Sequence, residues 1–581
     1  LGTANRAGGL PFPPRLQPAT ARTTRDSMSL STQHAPRLFW FLAAFLFAGL
    51  VLSLGISAPT GLTGKDEYFL GLRIPLEMIE RNNWWIPFID AEPRLRKPPF
   101  IYWLTRLSYE SFGASLLSAR LVTISFSLLL LASTAWLGKY FSGKWTTGLL
   151  AAGIMLGFAG MATESRRLML DIPVAALSTA AFCTYLAWLK QPRWRPLLLT
   201  AGLLAAALMT KGPVALVAFG SGFVALWLTP DVTTEALSAQ SCISRACQHF
   251  KQHAGAYIVC GALACLLPAL WYMDAIHTYP EQFSAAAQDE IEARSNSGPS
   301  FAPLSGLLLL TIPWTLIGLN SLFRNRRAPE IRRLAAWLMI SLLPFFFVRS
   351  FERYLLGSLP AFALICAYGL QHGRSERWPL KLGALLPTFA VGLLCALLWR
   401  WEHGTTALIV GGALVPFILV WNTQANNQTS APSLILSAAL LWSVAWGIGF
   451  PSLKVNATPD TAIELSKNRQ LFMFEGPQPA LLPILSKRAM RHVQHLHDAN
   501  NLLVAGSIIS IRQEDELRFQ GELRDTQRNA REIYRYQSLT TAGSGIRFGK
   551  QGSTWQDWQQ AWQERSPQHL MSTVIFYEIL P

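Results

Sequence analysis

Residues 38–57 read LFWFLAAFLFAGLVLSLGIS, a run without a charged side chain. A helix of about 20 apolar residues crosses the hydrocarbon of a bilayer. The run is too long for the core of a secretion signal and has no convincing cleavage site behind it, so it reads as a membrane anchor. The pattern recurs at 116–137, 146–161, 172–189, 196–209, 214–229, 255–272, 302–320, 334–348, 355–371, 380–399, 406–422 and 432–450, which predicts about thirteen spans. Two of these, 196–209 and 214–229, are short and separated only by Thr210-Lys211-Gly212-Pro213. They read either as two spans or as one broken hairpin inside the bundle, because non-helical backbone is tolerated where protein covers it.

Composition leads to the same class. The chain has 581 residues, 51% hydrophobic and 14% charged, against about 25% charged in a soluble protein. Its 21 Trp and 32 Phe suit an apolar body meeting a polar boundary. Its 41 Gly have no period and its 7 Cys are few for the length, which excludes collagen and a disulfide-rich scaffold. The net charge of +16 matters less than where the charges fall. With a cytoplasmic N-terminus, the inner connections carry Lys139, Lys144, Lys190, Arg193, Arg195, Arg245, Lys251, Arg324, Arg326, Arg327, Arg332, Arg333, Arg374, Arg377 and Lys381. That satisfies the rule that short cytoplasmic loops collect Lys and Arg. The alternation puts the loops 58–115 and 273–301, and everything after 450, on the outer side.

Residues 1–37 contain Pro, Arg, Ser and Thr but no apolar run, and are expected to be a disordered cytoplasmic tail. Met28, close to the first span, is an alternative start. Residues 451–581 are expected to form a small α/β domain that folds without disulfides, since they hold no Cys. Within it, GSIISIRQEDELRF (506–519) has short β-like stretches, whereas DTQRNAREIYRYQSL (525–539) reads as polar and helical. The domain lacks a nucleophile elbow, a P-loop or a paired metal motif.

Polar chemistry gathers where the outer loops meet the membrane. The first loop, GLTGKDEYFLGLRIPLEMIERNNWWIPFIDAEPRLRKPPFIYWL (61–104), sets Asp66 and Glu67 just after the first span. An amphipathic helix is expected from Phe69 to Ile79, with Trp84 and Trp85 suited to the interface. Arg94, Arg96 and Lys97 precede Pro98-Pro99, whose fixed φ angles stiffen the approach to the next aromatic run. Outer cations run against the usual charge bias, and an anionic headgroup such as a lipid phosphate is the simplest reason for them. In ATESRRLMLDIP (162–173), Asp171 stands four residues after Arg167, so an i,i+4 pair is one reading and a second site carboxylate is the other. Lys211 has almost no loop to occupy and must snorkel, pair or bind an anion. Arg294 is the main cation of the other outer loop, and FFFVRSFERYLLGSLP (345–360) adds Arg353 and Tyr354. Arginine's planar fork suits a phosphoryl oxygen pair.

Two carboxylates and several cations at one boundary, drawn from distant parts of the chain, fit an enzyme acting on a lipid headgroup. A transporter would gather its polar groups at mid-bilayer in paired repeats, and no internal repeat is visible. A polyprenyl-lipid or polysaccharide transporter stays the alternative, with a scaffold presenting 451–581 as a third reading. Two other signals carry little. Cys242, Cys247, Cys260 and Cys265 read as small packing residues rather than metal ligands. The Asn427-Gln428-Thr429 and Asn456-Ala457-Thr458 sequons lack a secretory context.

Asp66-Glu67, Lys97-Pro98-Pro99, Leu170-Asp171-Ile172-Pro173 and Thr210-Lys211-Gly212-Pro213 resemble, in order and spacing over about 38–370, the bacterial aminoarabinose transferases that modify lipid A. They also resemble the wider family of polyprenyl-phosphate-sugar-dependent glycosyltransferases related to protein O-mannosyltransferases. The resemblance implies a mainly α GT-C bundle with a small outer α/β domain, in a bacterial inner membrane with that domain periplasmic. It implies inverting transfer of a sugar from a polyprenyl-phosphate donor to lipid A, a glycan or a protein. By the resemblance Asp66 is the first catalytic carboxylate, with Glu67 beside it. Asp171 is the second acid, and Lys97 is the cation on the donor phosphate, with help from Arg96, Lys211, Arg294, Arg353 and Tyr354. Three positions depart from the aminoarabinose enzymes. Tyr68-Phe69-Leu70 replaces Ala-Arg-Tyr, Arg96 replaces an acid, and Asp289, Glu290 and Glu292 stand near Arg294 where a histidine is expected. These changes alter the charge offered to the acceptor and remove ligands for a divalent cation. No cofactor and no nucleic-acid partner is expected; the partners are the lipid-linked donor, an envelope acceptor and membrane lipids.

Overall fold

A computed structural model describes residues 34–60, 67–90, 92–229, 239–295, 298–372, 377–424, 429–467, 469–475, 479–499, 501–541, 549–550 and 552–581. Residues 1–33, and with them most of the expected tail, lie outside the described residues, as does Asp66. Residues up to Phe47 form one unit and Ala48–Pro581 a second. Helix begins at His34, inside the stretch expected to be tail.

Every one of the thirteen apolar runs carries helix, but not every run is a full span. Seven helices are long and apolar enough to cross a membrane: Leu116–Ser142, Asp171–Lys190, Ala254–Thr278, Glu352–His372, Trp378–Arg400, Gly404–Thr423 and Ala431–Ser452. Counting the pair Ala302–Leu310 and Thr315–Arg324, which meet at 113°, as one span gives eight. Leu42–Ser53, Trp145–Leu156 and Val214–Leu228 are apolar but shorter than the roughly 20 residues a straight span needs. Among the described residues these helices do not confirm the expected count of thirteen, because hydropathy registers an apolar run whether or not its helix is broken. The bundle is that of a multi-pass membrane protein. In Ala254–Thr278 only 17% of the apolar window is covered by protein, and in Trp378–Arg400 and Gly404–Thr423 only 22%. Ile258, Phe389 and Leu408 stand out from these helices, which water would not tolerate over so large a surface.

Local chemistry sets the helix ends. Ser115 and Ser118 form a reciprocal capping box at the start of Leu116–Ser142, and Gly143 closes that helix at φ 73°. The next helix, Trp145–Leu156, folds straight back. A side chain at Gly148 would come 2.0 Å from the Ala135 carbonyl oxygen, so only glycine permits this approach.

The described residues of the first outer loop form several short elements. A π-helical turn, Glu67–Leu72, leads into helix Arg73–Glu80, close to the amphipathic helix expected from Phe69. A small antiparallel pair follows, β1 (Phe88–Ile89) and β2 (Glu92–Pro93), then helix Phe100–Phe112, which was not foreseen as a helix. Arg106 ties the loop together through Glu110 at 2.8 Å and the carbonyls of Met78 and Asn83, both at 2.9 Å. The other outer loop holds helix Pro280–Arg294.

The C-terminal region is α/β, as expected. Its five strands are β3 (Leu471–Phe474), β4 (Arg491–Val493), β5 (Ile508–Arg512), β6 (Ala530–Ser538) and β7 (Ser572–Ile579), in the order β4-β3-β5-β7-β6. The pairs β3–β4 and β3–β5 are parallel; β5–β7 and β7–β6 are antiparallel. The stretch 525–539, expected to be helical, is mostly strand β6. It lies at the sheet edge, where Tyr534 and Tyr536 pack on the core and alternate with Arg535 and Gln537, but a bulge between Glu532 and Tyr534 breaks the alternation that marks a half-buried strand. Arg400, at the end of its helix, donates to the carbonyls of Trp562 and Gln563, and Trp401 stacks on Trp558 with ring centroids 6.4 Å apart. The sheet and the bundle thus meet directly.

Candidate active site

Asp171 opens helix Asp171–Lys190, and Pro173 sits in its first turn, where a missing amide costs nothing. Lys211 ends helix Trp194–Lys211. The chain then turns at Gly212, whose φ of +59° and whose space, 3.1 Å from the Tyr272 hydroxyl at the Cβ position, both call for glycine. Arg353 and Tyr354 lie on the 3-10 turn Glu352–Ser358. These four residues converge. The Lys211 ammonium donates to Asp171 Oδ1, and Arg353 Nε lies 3.4 Å from Asp171 Oδ2. Asp171, Lys211 and Arg353 are 3%, 5% and 7% exposed. The i,i+4 pair of Arg167 with Asp171 is not formed; Arg167 binds Glu164 instead, and Asp171 is left to the cations of other helices. The hairpin reading of 196–229 is half right in effect. Its break exists to aim Lys211 at Asp171.

Tyr354 joins this buried triad to a second charged group. Its ring lies 3.6 Å from Lys211 Nζ on one side and 4.9 Å from the Arg294 guanidinium carbon. Cations on an aromatic face gain most where water is excluded. Arg294 binds Glu290 at 2.9 Å, and Glu290 also accepts from Lys97 at 2.7 Å. The Lys97 ammonium is held below its usual range, first by burial, although Glu290 opposes this. For Glu290 burial pushes upward, but Lys97 and Arg294 overcome it and bring the carboxyl to about 2. A narrow cavity reaches Asp171, Arg353 and Tyr354 between Val174, Val214 and Phe345. Four cations, Lys97, Lys211, Arg294 and Arg353, therefore face two carboxylates, Asp171 and Glu290. The excess of positive charge suits a phosphate.

Arg96 stands outside this group, paired with Asp289 at a more exposed position. The neighbours Arg96-Lys97 of one outer loop thus meet the neighbours Asp289-Glu290 of the other. The two departures noted in the sequence, a base for an acid at 96 and acids near Arg294, complement each other across the loops. Glu67 is also apart from the cluster. It is fully buried in a two-pronged ion pair with Arg120, at 2.8 and 3.0 Å, and accepts from the Leu168 amide at 3.1 Å. With its oxygens so engaged, Glu67 braces the loop. Asp66, its neighbour, lies outside the described residues.

Sequence reasoning missed Glu290 as a partner of Lys97, because 193 residues separate them. It also passed over Tyr102, five residues after Lys97. Tyr102 is fully buried, its hydroxyl has no hydrogen-bond partner among the described residues, and burial pushes that hydroxyl to about 12. Arg94 is the charge that acts on it.

A helical membrane bundle thus holds a buried, phosphate-suited charge cluster at the ends of its helices, and known proteins resemble the chain that forms it. Residues 72–278 match the dolichyl-phosphate-mannose-protein mannosyltransferase family. The undecaprenyl phosphate-alpha-4-amino-4-deoxy-L-arabinose arabinosyl transferase of Yersinia pestis is 25% identical over 409 residues, 66% of this chain and 67% of its own length. An uncharacterized protein of Aquifex aeolicus is 24% identical over 307 residues, covering 50% of this chain and 56% of its own. The crystal structure of ArnT from Cupriavidus metallidurans bound to undecaprenyl phosphate has the same fold, with a TM-score of 0.65 over 92% of this chain and 98% of that one, at 15% identity. Over residues 72–278 the chain is thus similar to that mannosyltransferase family, and over most of its length it shares the fold of ArnT.

Proposed function

We propose that the protein moves a sugar from a polyprenyl-phosphate donor to an envelope acceptor on the outer, periplasmic face of a bacterial inner membrane. The observation that carries this reading is the convergence of Lys97, Arg294, Tyr354, Lys211 and Arg353 around Asp171 and Glu290. The acceptor attacks the anomeric carbon, and the bond to the phosphate oxygen breaks with its electrons staying on the phosphate. Lys97 and Arg294 neutralise that growing charge, which counts for most in a site shielded from water. A phosphate leaving group needs little protonation.

Asp171 has both oxygens committed to cations, so it fixes Lys211 and Arg353 in place rather than taking a proton. The carboxylate that orients or deprotonates the acceptor is assigned to Asp66, on the resemblance described above. A base matters for a hydroxyl acceptor and is largely idle if the acceptor is already an anionic phosphate. Lipid A is one candidate acceptor, since the chain resembles aminoarabinose transferases; a glycan or a protein hydroxyl are the others. The test is mass analysis of envelope lipids and glycans from cells with and without the protein. Loss of a sugar-sized increment from one molecule identifies the acceptor, and unchanged envelopes count against the proposal. In the same cells Asp66→Asn is expected to abolish the increment; a wild-type level from a folded Asp66→Asn protein removes that residue's role.

A further inference from the structure

Away from the catalytic cluster, a cavity of about 210 Å3 opens where helix Arg73–Glu80 meets the C-terminal sheet. Glu77, Glu80, Arg81, Arg469, Arg488 and Arg491 line it. Both carboxylates are already engaged. Glu77 pairs with Arg73 at 2.9 Å and accepts from the Asp90 amide at 3.1 Å, while Glu80 accepts from the Ala489 amide at 2.7 Å. Arg469 is neutralised by Glu578 at 2.9 Å.

The other three arginines are not neutralised. Arg81 lies over the Phe88 ring at 4.7 Å, and Arg488 donates to the Arg469 carbonyl at 3.1 Å. Neither of these, nor Arg491, has a carboxylate within ion-pair distance among the described residues. Their placement follows from the fold. Arg81 follows the last turn of its helix, Arg491 opens β4 opposite Phe472 of β3, and Arg488 lies just before β4. Three guanidinium groups from two parts of the chain thus border one cavity in which the carboxylates of Glu77, paired with Arg73, and Glu80, held by an amide, leave positive charge in excess. Guanidinium groups with so little counter-charge between them repel one another, and a planar fork pairs best with a phosphate oxygen pair.

We propose that this cavity binds a phosphate ester, at a site separate from the one that holds the donor's phosphate. Its source is either the headgroup of a phosphate-bearing lipid or free phosphate. The site does not depend on the transfer reaction, so its test is a binding measurement.

The protein, full length and in nanodiscs of phosphatidylcholine, carries Lys97→Ala to silence the other anion site. Phosphatidic acid is added to the discs in steps, and native mass spectrometry follows the bound lipid. The expected result is saturable binding that falls about tenfold or more when Arg488→Gln and Arg491→Gln are added together, the loss of two charge-assisted contacts. Arg81→Gln, at an exposed position, is the milder second variant and is expected to weaken binding in the same direction. Competition by inorganic phosphate in the millimolar range shows that the phosphate alone is recognised; its failure to compete shows that the lipid headgroup is needed. Either outcome upholds the site. Phosphatidic acid binding that is equal with and without Arg81, Arg488 and Arg491, in proteins with the same unfolding temperature, overturns it.

Discussion

In the proposed reaction Lys97 is the residue on which the donor site turns, and its ammonium is paired with a carboxylate. Glu290 occupies its ammonium at 2.7 Å and shares Arg294, so a donor phosphate must compete with Glu290 for both cations. Replacing Glu290 with Gln removes that competitor, and donor affinity is expected to rise by about tenfold, the scale of one charge-assisted contact. A titration of labelled polyprenyl-phosphate sugar against both proteins checks this; weaker binding by Glu290→Gln would mean that Glu290 helps to hold the donor. The pH dependence has a defined sign. Glu290 lies well below the ordinary carboxylate range, so its ion pairs stabilise the fold above that range and are lost only as pH falls toward about 2. Lys97 is shifted downward by burial, so it loses its charge at a lower pH than an ordinary lysine. Donor affinity measured against pH is therefore expected to decline on the alkaline side before an exposed lysine would titrate. A decline that begins only at the ordinary lysine value would contradict the burial argument. The sequence showed Lys97 and Arg294 as outer-loop cations set against the usual charge bias, Lys211 as a cation with almost no loop to occupy, and Arg353 and Tyr354 as polar groups beside an apolar run. It could not show their partners, since those lie on other helices and ion pairing leaves no local signature.

At the scale of elements, buried ion pairs brace the site. Glu67 and Arg120 link the start of the first outer loop to helix Leu116–Ser142, and Arg120 also bonds the carbonyls of Ile56 and Thr60 at 3.0 and 3.2 Å. Arg166 is buried among the carbonyls of Val51, Leu54 and Ala162 and the Ser443 hydroxyl. Removing one partner of a buried pair leaves a charge without compensation and costs about 3–5 kcal/mol. Glu67→Gln is expected to lower stability on that scale in a denaturant or thermal unfolding series, whereas Glu67→Gln with Arg120→Met is expected to recover part of the loss. A stable single variant that loses only activity would return Glu67 to the catalytic group. Gly148→Val is expected to separate the helices Leu116–Ser142 and Trp145–Leu156 and to reduce the yield of folded protein, read by size exclusion in detergent. The helices themselves were legible, because apolar runs and charged loops mark them. Their breaks were not: the 113° bend near Pro313 and the 3-10 turn at Glu352–Ser358 depend on packing that hydropathy does not register. The edge strand β6 was misread for the related reason that the bulge between Glu532 and Tyr534 breaks its alternation.

For the whole molecule, the charge arrangement separates into two populations. One is the basic charge of the short connections that the charge bias assigns to the cytoplasm; the other is Lys97, Lys211, Arg294 and Arg353, which with Asp171 and Glu290 gather at one site built from helix ends and two outer loops. The C-terminal sheet is tied to the first of those loops: Asp90 accepts from the His492 amide and binds Arg73, and Glu80 accepts from the Ala489 amide. The sheet therefore reaches the loop that leads from Glu67 to Lys97. Composition alone was enough to place the chain in a membrane, and four short motifs in order pointed to the fold. The acceptor left no such trace in the sequence, because it is recognised by a surface assembled from distant segments.

The most direct test of this account is transfer by the purified protein in nanodiscs. The donor is a polyprenyl-phosphate sugar labelled in the sugar, and the acceptors are envelope lipids. Thin-layer and mass analysis then follow the label. The account predicts label bonded to an acceptor with release of one polyprenyl phosphate per sugar, and a rate lower by about 100-fold or more in Lys97→Ala, the loss of one principal electrostatic contact to the leaving group. Label that crosses the bilayer still attached to its polyprenyl phosphate, or transfer by a folded Lys97→Ala protein at the wild-type rate, would contradict it.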